Sequence, residues 1–274
     1  MRAESLADLR PDADASPLLT VIVPAYNEGR TIDALLRQVV AASYEKQIIV
    51  VDDGSTDDTA KILSGWQERP NFLLLRHSAN RGKGAAIRTA LTHAAGEFVL
   101  IQDADLEYDP GDYSRLIEPL IRGQADVVFG SRYLQTTSGP RRRWRLFRHG
   151  VSLLNFCVRL IYKVKISDEV TCYKAFPTSL LRAMNLECRG FEFCSEVTAK
   201  VCRLGLTIFE TPVHYHPRGF KDGKKIRWSD GIRLAWALWK WRKWTGEWKP
   251  RRQLAVEGTS SPDVGDHEAE DVSR

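Results

Sequence analysis

Three carboxylates at alternate positions, Asp103, Asp105 and Glu107, follow the apolar run Phe98–Ile101 almost without a break. In an extended segment alternate residues project to one side, so these charges repel unless a cation joins them. Oxygen-only ligation suits Mg²⁺ or Mn²⁺ better than Zn²⁺, because no His or Cys lies close by in sequence. The same acids also suit a solvated turn at the start of a helix introduced by Pro110 and Gly111. The apolar run reads as a buried strand of a parallel sheet, and ligands of open α/β sheets sit beyond the carboxyl ends of such strands.

Four more apolar runs end in polar clusters. Leu18–Val23 leads to Pro24-Ala25-Tyr26-Asn27-Glu28 and a helix capped by Thr31; Ile48–Val51 leads to Asp52-Asp53-Gly54-Ser55, with Ser55 or Asp57 capping the next helix. Phe72–Leu75 precedes Asn80-Arg81-Gly82-Lys83-Gly84 and a helix through Ala94, and Asp126–Phe129 precedes Gly130-Ser131-Arg132. This alternation predicts a doubly wound, mostly parallel α/β sheet over about the first 130 residues. No GxGxxG follows the first strand and no GxxxxGK[ST] occurs, which excludes the dinucleotide fingerprint and the NTPase phosphate loop.

VIVPAYNE, VVDDGSTDDT, NRGKGAAIRTAL and DADLEYDP, in this order and at these separations, resemble the nucleotide-sugar domain of family 2 inverting glycosyltransferases of the GT-A fold. The later GSR, TCYKAF and GKKI stretches resemble the dolichyl-phosphate mannose and glucose synthase-like branch, which moves a sugar onto a polyprenyl phosphate. The resemblance covers roughly Thr20 to Trp244. It implies Pro24, Tyr26 and Glu28 around the nucleotide, Asp53 on the base, Asp52 supporting the turn, and Asp103 on ribose or metal. It implies Asp105 on the metal at the diphosphate, with Glu107 beside it. An Asp carboxylate accepts a ring N–H of uracil or of guanine, so a UDP- or a GDP-hexose satisfies the pattern. Lys83, between glycines at a helix start, suits a nucleotide or phosphate contact, with Arg81 as its neighbour; a solvated basic loop is the plainer reading.

The acceptor half is basic. Arg141, Arg142, Arg143, Arg145 and Arg148 follow Ser138-Gly139-Pro140, and the resemblance assigns the acceptor phosphate to Arg132 and Arg148. Arg218 and Lys225 belong to a Gly- and cation-rich stretch suited to closing over phosphates. Asp168 lies in the segment that the resemblance sets beside the acceptor. A polyprenyl phosphate is already largely dianionic near neutrality and needs no strong base, whereas a hydroxyl acceptor needs one, with Asp168 or Glu196 as candidates. His214 and His216 stand at alternate positions without a third metal ligand in view.

Phe147–Tyr162 is helical in pattern and apolar on more than one face, Phe191–Arg203 includes an amphipathic helix, and Leu206–Val213 reads as a strand. Trp236, Trp239, Trp241, Trp244 and Trp248, interleaved with Arg and Lys, read as a helix in a lipid headgroup region or one packed on the domain. The expected organisation is a flexible leader (1–17), a GT-A domain (18–228), a Trp/Lys-rich membrane-surface helix (229–249) and a disordered acidic tail (250–274). Six acids against one arginine in 253–274 turn the overall formal charge of +5 into +10 over 1–252, which implies an anionic partner. Five cysteines without CxxC spacing support neither a disulfide framework nor a zinc site. No apolar run is long enough to span a bilayer, so the expected location is cytoplasmic, peripheral on the cytoplasmic face of a membrane. The aromatic-basic interleaving lacks the form of a nucleic-acid module. The rival readings are a glycosyltransferase acting on a glycan or small-molecule hydroxyl, and a non-catalytic anion- or membrane-binding adaptor.

Overall fold

The structure, a computed structural model, describes residues 17–134, 144–218 and 228–249. The leader, Arg141 to Arg143, Lys225 and the acidic tail lie outside the described residues. The central sheet has seven strands: β1 (Leu19–Ala25), β2 (Lys46–Asp52), β3 (Phe72–Arg76), β4 (Phe98–Ile101), β5 (Val127–Ser131), β6 (Lys174–Pro177) and β7 (Ile208–Pro212), in the order β3-β2-β1-β4-β6-β5-β7. β1 pairs in parallel with both β2 and β4, β2 with β3, and β5 with β7, whereas β6 is antiparallel to both of its neighbours. The runs LTVIVPA and FVLI are apolar almost throughout because helices cover both faces of the sheet.

All five strands expected in the first 130 residues form, but the sheet does not stop there: β6 and β7 complete it from the second half of the chain. β6 opens on Lys174, a residue foreign to strand cores. Its ammonium is buried, donating to the Glu169 carbonyl (2.8 Å) and lying 3.5 Å from the centre of the Phe129 ring. The reversal of β6 has a positional result. Its start, not its end, lies at the carboxyl edge of the parallel strands, so the preceding residues 167–173 arrive at the same edge.

The helices are α1 (Ile32–Ala41), α2 (Thr59–Ser64), α3 (Lys83–Leu91), α4 (Tyr113–Ile121), α5 (Trp144–Tyr162), α6 (Thr178–Ala183), α7 (Phe193–Arg203) and α8 (Trp228–Lys240). Thr31 stands at the start of α1 but does not cap it by its side chain; the hydroxyl donates to Glu28 Oε2 (2.9 Å) and the Ala104 carbonyl (3.1 Å). Asp57 accepts from the Thr59 amide (3.0 Å) at the start of α2, which is the capping contact expected there.

The expectation of an amphipathic α7 is corrected: every residue from Phe193 to Val201 is buried. Its charges survive burial by pairing. Lys200 Nζ donates to Glu196 Oε1 (2.6 Å) and to the Met184 (2.9 Å) and Asn185 (3.1 Å) carbonyls, beneath the Trp241 ring at 3.9 Å. Glu196 accepts the Glu187 (2.9 Å) and Cys188 (2.7 Å) amides. The pair therefore pins the 184–188 loop and the C-terminal aromatic segment to one helix. Removing one member of such a pair leaves a buried charge uncompensated. Lys200→Ala is expected to cost about 3–5 kcal/mol of stability, measured by urea denaturation.

Candidate active site

The parallel strands deliver their carboxyl ends to one edge, and each end carries a piece of the site. From β4 come Asp103, Asp105 and Glu107. They do not share one centre: Asp103 is paired with Lys83 Nζ, Asp105 Oδ2 accepts from Arg218 Nη2, and Glu107 accepts from the Tyr215 hydroxyl (2.6 Å) and the Arg218 amide (2.8 Å). Among the described residues no group of three or more His, Cys, Asp or Glu converges as a metal cage. The expected three-carboxylate cluster is therefore three acids close in space but separately partnered.

Their electrostatics still call for a cation. Burial, together with the neighbouring Asp103 and Glu107, pushes the Asp105 carboxyl up to about 7, and the Arg218 guanidinium opposes this without cancelling it. Burial works against the Lys83 ammonium, but Asp103 outweighs it and holds the lysine well above its ordinary range. Arg218 is the cation at the centre: it donates to Glu28 Oε2 (3.0 Å) and Oε1 (3.2 Å) as well as to Asp105, while its buried Nε has no partner. The all-oxygen donor set of Asp103 and Asp105 fits Mg²⁺ or Mn²⁺ where Arg218 withdraws. Glu107 is the least available of the three, since both of its oxygens hold the 215–218 segment.

From β1 comes the turn after Ala25. Pro24 lies within the strand, Tyr26 is half-buried beyond it, and Asn27 takes a left-handed φ of 51°, a conformation Asn tolerates. Asn27 Oδ1 accepts the Thr56 amide (2.8 Å), tying this turn to the one after β2, where Asp52 Oδ1 accepts the Ser55 amide (3.0 Å). Asp53 is buried beside it and holds the loop before α3 through the Arg81 (2.9 Å) and Gly82 (2.7 Å) amides.

From β5 comes Arg132. Its guanidinium grips Asp168 through Nε (2.7 Å) and Nη2 (2.6 Å), and its amide donates to the same carboxylate (3.1 Å). The Asp168 side chain is 0% exposed and the Arg132 side chain 6%. This corrects the placing of Asp168 as a base: a carboxylate clamped on both oxygens and sealed from solvent holds Arg132 in position instead. Glu196, the other candidate base, is committed to α7 and its loop. Glu210 on β7 extends the arrangement by accepting the Ser167 (2.9 Å) and Asp168 (3.2 Å) amides. Arg148 lies on exposed α5 surface with Cζ 5.7 Å from the centre of the Tyr133 ring, which Arg132 Cζ approaches to 5.8 Å.

The chain after β7 closes the edge. Tyr215 forms a bridge with Tyr108, the His216 amide donates to the Glu107 carbonyl (2.7 Å), and His214 Nδ1 lies 2.9 Å from Asp112. The alternating histidines drew attention in the sequence, yet in extended backbone Tyr215 between them faces the other way and is the residue that meets Glu107. Arg218 is placed among Glu28 and Asp105, whereas Lys225 lies outside the described residues. A partly open cleft runs from Lys83 and Asp103 past Cys172, Arg132 and Tyr215 to Leu234 on α8. Sequence reasoning missed Tyr215 and Glu210; a charged residue at a strand centre was the available signal for Glu210.

Residues 20–184 match Glycosyl transferase family 2. The chain is 31% identical over 77% of its length to the low-salt glycan biosynthesis hexosyltransferase Agl6 of Haloferax volcanii, and the match spans half of that relative's length. It is 31% identical over 86% of its length to dolichyl-phosphate beta-glucosyltransferase ALG5A of Trichomonas vaginalis, covering 77% of that protein. In fold it is similar to glucosyl-3-phosphoglycerate synthase from Mycobacterium tuberculosis, solved with Mn²⁺, UDP and phosphoglyceric acid, at a TM-score of 0.63 and 17% identity, with 83% of this chain and 79% of that one covered. The family match takes in β2 to β6, nearly all of β1 and the three acids of the cleft, and on that footing the chain belongs to glycosyl transferase family 2.

Proposed function

We propose that this chain transfers a hexose from a UDP- or GDP-sugar to a polyprenyl phosphate, with inversion at the anomeric carbon and with a divalent cation. The observation that carries this reading is the cleft itself, which has acids and Lys83 at one end and Arg132 in its wall. Such a cleft suits two anionic ligands meeting in line. The relatives whose names specify a dolichyl-phosphate acceptor support the acceptor class.

Donor binding uses the edge of β1, β2 and β4: Pro24, Tyr26, Glu28 and Asp53 around the nucleoside, with Lys83 against the diphosphate. Asp103 and Asp105 would hold Mg²⁺ or Mn²⁺, Arg218 moving from Asp105 onto phosphate oxygens. The cation, when bound, neutralises charge on the departing nucleoside diphosphate. Arg132, its Nε and Nη2 held on Asp168 and that carboxylate steadied by Glu210, sets a permanent positive charge in the cleft wall to attract the acceptor phosphate, and Arg148 stands further out on the same approach. The acceptor phosphate is itself the nucleophile, so the removal of Asp168 and Glu196 from consideration as bases favours this acceptor over a hydroxyl.

The location that goes with this reading is peripheral, on the cytoplasmic face of a membrane, and the exposed surface supports its membrane part. α5 and α8 pack together, and each leaves an apolar stripe in solvent: Leu153, Phe156 and Leu160 on one, Ile232, Trp236 and Trp239 on the other. Lys240 and Arg242 stand beside those indoles, with Arg242 Cζ 3.6 Å from the Trp239 ring centre. Trp241, in contrast, is buried, and Trp244 and Trp248 pack against the core, so the tryptophans divide between domain and exterior. No helix among the described residues is long and apolar enough to cross a membrane.

Incubation with Mn²⁺ or Mg²⁺, radiolabelled UDP- and GDP-hexoses and short-chain polyprenyl phosphate is expected to place label in the lipid extract. Asp105→Ala should lower that rate at least about 100-fold; donor binding or hydrolysis without lipid labelling would sink the phosphate-acceptor reading. Because Arg218 sits where the cation belongs, Arg218→Gln should bind Mn²⁺ more tightly than the unaltered protein in electron paramagnetic resonance titrations without nucleotide. Trp236→Ala/Trp239→Ala should weaken sedimentation with anionic vesicles by about tenfold while leaving the thermal transition in place.

A further inference from the structure

β4 and β1 are paired through Ile101, and the Gln102 amide makes one more bond, to the Ile22 carbonyl (2.9 Å). Beyond it the chain leaves the sheet, so the ladder no longer sets the course of the backbone that carries Asp103 and Asp105. A side chain does so instead: Gln102 Nε2 donates to the Asp103 carbonyl (3.1 Å). The next carbonyl, of Ala104, is met by the Thr31 hydroxyl (3.1 Å), whose single proton is also within reach of Glu28 Oε2 (2.9 Å). On the far side the Glu107 amide donates back to Asp105 Oδ1 (3.0 Å).

Gln102 is itself fixed. It is fully buried, and its Oε1 accepts the Tyr113 (2.9 Å) and Tyr173 (2.7 Å) hydroxyls. Burial pushes both phenols well above their ordinary range, so they stay protonated and remain donors. An amide oxygen has two lone pairs. Both are filled, and the Asp103 carbonyl needs a donor, so the amide sits with its oxygen to the phenols and its nitrogen to the backbone. The rings cannot swing aside, because Tyr173 packs against Tyr113 at 6.0 Å and against Tyr108 at 4.6 Å, centre to centre.

Resting on the divalent-cation reading above, we propose that Gln102 is a positioning residue for Asp103 and Asp105. It acts through the backbone rather than on either carboxylate. By holding the peptide between residues 103 and 104 it fixes the separation of two acids that repel each other until a cation joins them. Methionine would fill the same space without donating. Ionised glutamate would set an acceptor against the Asp103 carbonyl, and asparagine is one methylene shorter. Glutamine supplies both the acceptor that two buried hydroxyls need and the donor that the carbonyl needs.

Mn²⁺ titration of the full chain by electron paramagnetic resonance, without nucleotide, tests this, with Asp105→Ala identifying the signal that belongs to the site. Gln102→Met removes the brace and strands two phenols, so it should lower the thermal transition and weaken Mn²⁺ binding at least about tenfold. Gln102→Met/Tyr113→Phe/Tyr173→Phe removes the stranded donors as well, so it should regain the thermal transition but not the Mn²⁺ affinity. Both variants are titrated well below their own thermal transitions. Recovery of Mn²⁺ binding in the triple variant, or unchanged binding in Gln102→Met, would make Gln102 a packing residue and overturn the assignment while the cation reading stands. Absence of Asp105-dependent Mn²⁺ binding in the unaltered protein would overturn that reading, and this inference with it.

Discussion

Parallel strands gather like charge, and the site is built on managing that. Glu28, Asp53, Asp103, Asp105 and Glu107 come from three neighbouring strand ends, where burial strengthens every repulsion among them. Each acid is answered by a group from elsewhere in the chain: Lys83 from the start of α3, backbone amides of the loop before it, Tyr215 and Arg218 from beyond β7. The cations and donors come from segments that a diphosphate and its metal would also engage. On the function proposed above, the forces that hold this edge together are those that ligand binding must exchange, and little separates folding this edge from preparing it for a substrate.

The edge built from β1 to β4 was largely legible because its signals are local. An apolar run followed by a polar cluster marks a strand end, and the acids of β4, the Asp52-Asp53 turn and the Lys83 helix start all appear at the carboxyl edge where their spacing put them. The surroundings of Arg132 depended on pairings remote in sequence. Nothing local in Asp168 reveals that Arg132, just past the end of β5, closes on both of its oxygens, or that Glu210 steadies the pair from β7. α7 misled for a related reason: Glu196 and Lys200 mimic a solvated face, although their spacing of one helical turn is also what lets them neutralise each other in the core. β6 was hidden by its brevity and its opening lysine.

The tryptophan-rich end shows composition and placement parting company. Five indoles among cations read as one surface, yet the turn after α8 carries Trp241 inward over Lys200 while Trp236 and Trp239 stay outside. Trp241 is therefore an anchor that fixes α8 against α7, and the outward pair owes its fixed orientation to it. A helix free to rotate would bury all of its aromatic surface wherever it could. This one cannot, because the inward half is already engaged.

The bridge between Tyr108 and Tyr215 joins the acidic stretch to the chain that follows β7, more than a hundred residues away. With the Glu107 and Asp112 contacts it makes these two segments one mechanical unit. Such a link removes modularity. A loop transplanted from a relative to retune the acceptor side would arrive with its own residue at position 215 and would shift the acids of the donor side as well. Change at this edge is constrained to proceed in matched pairs.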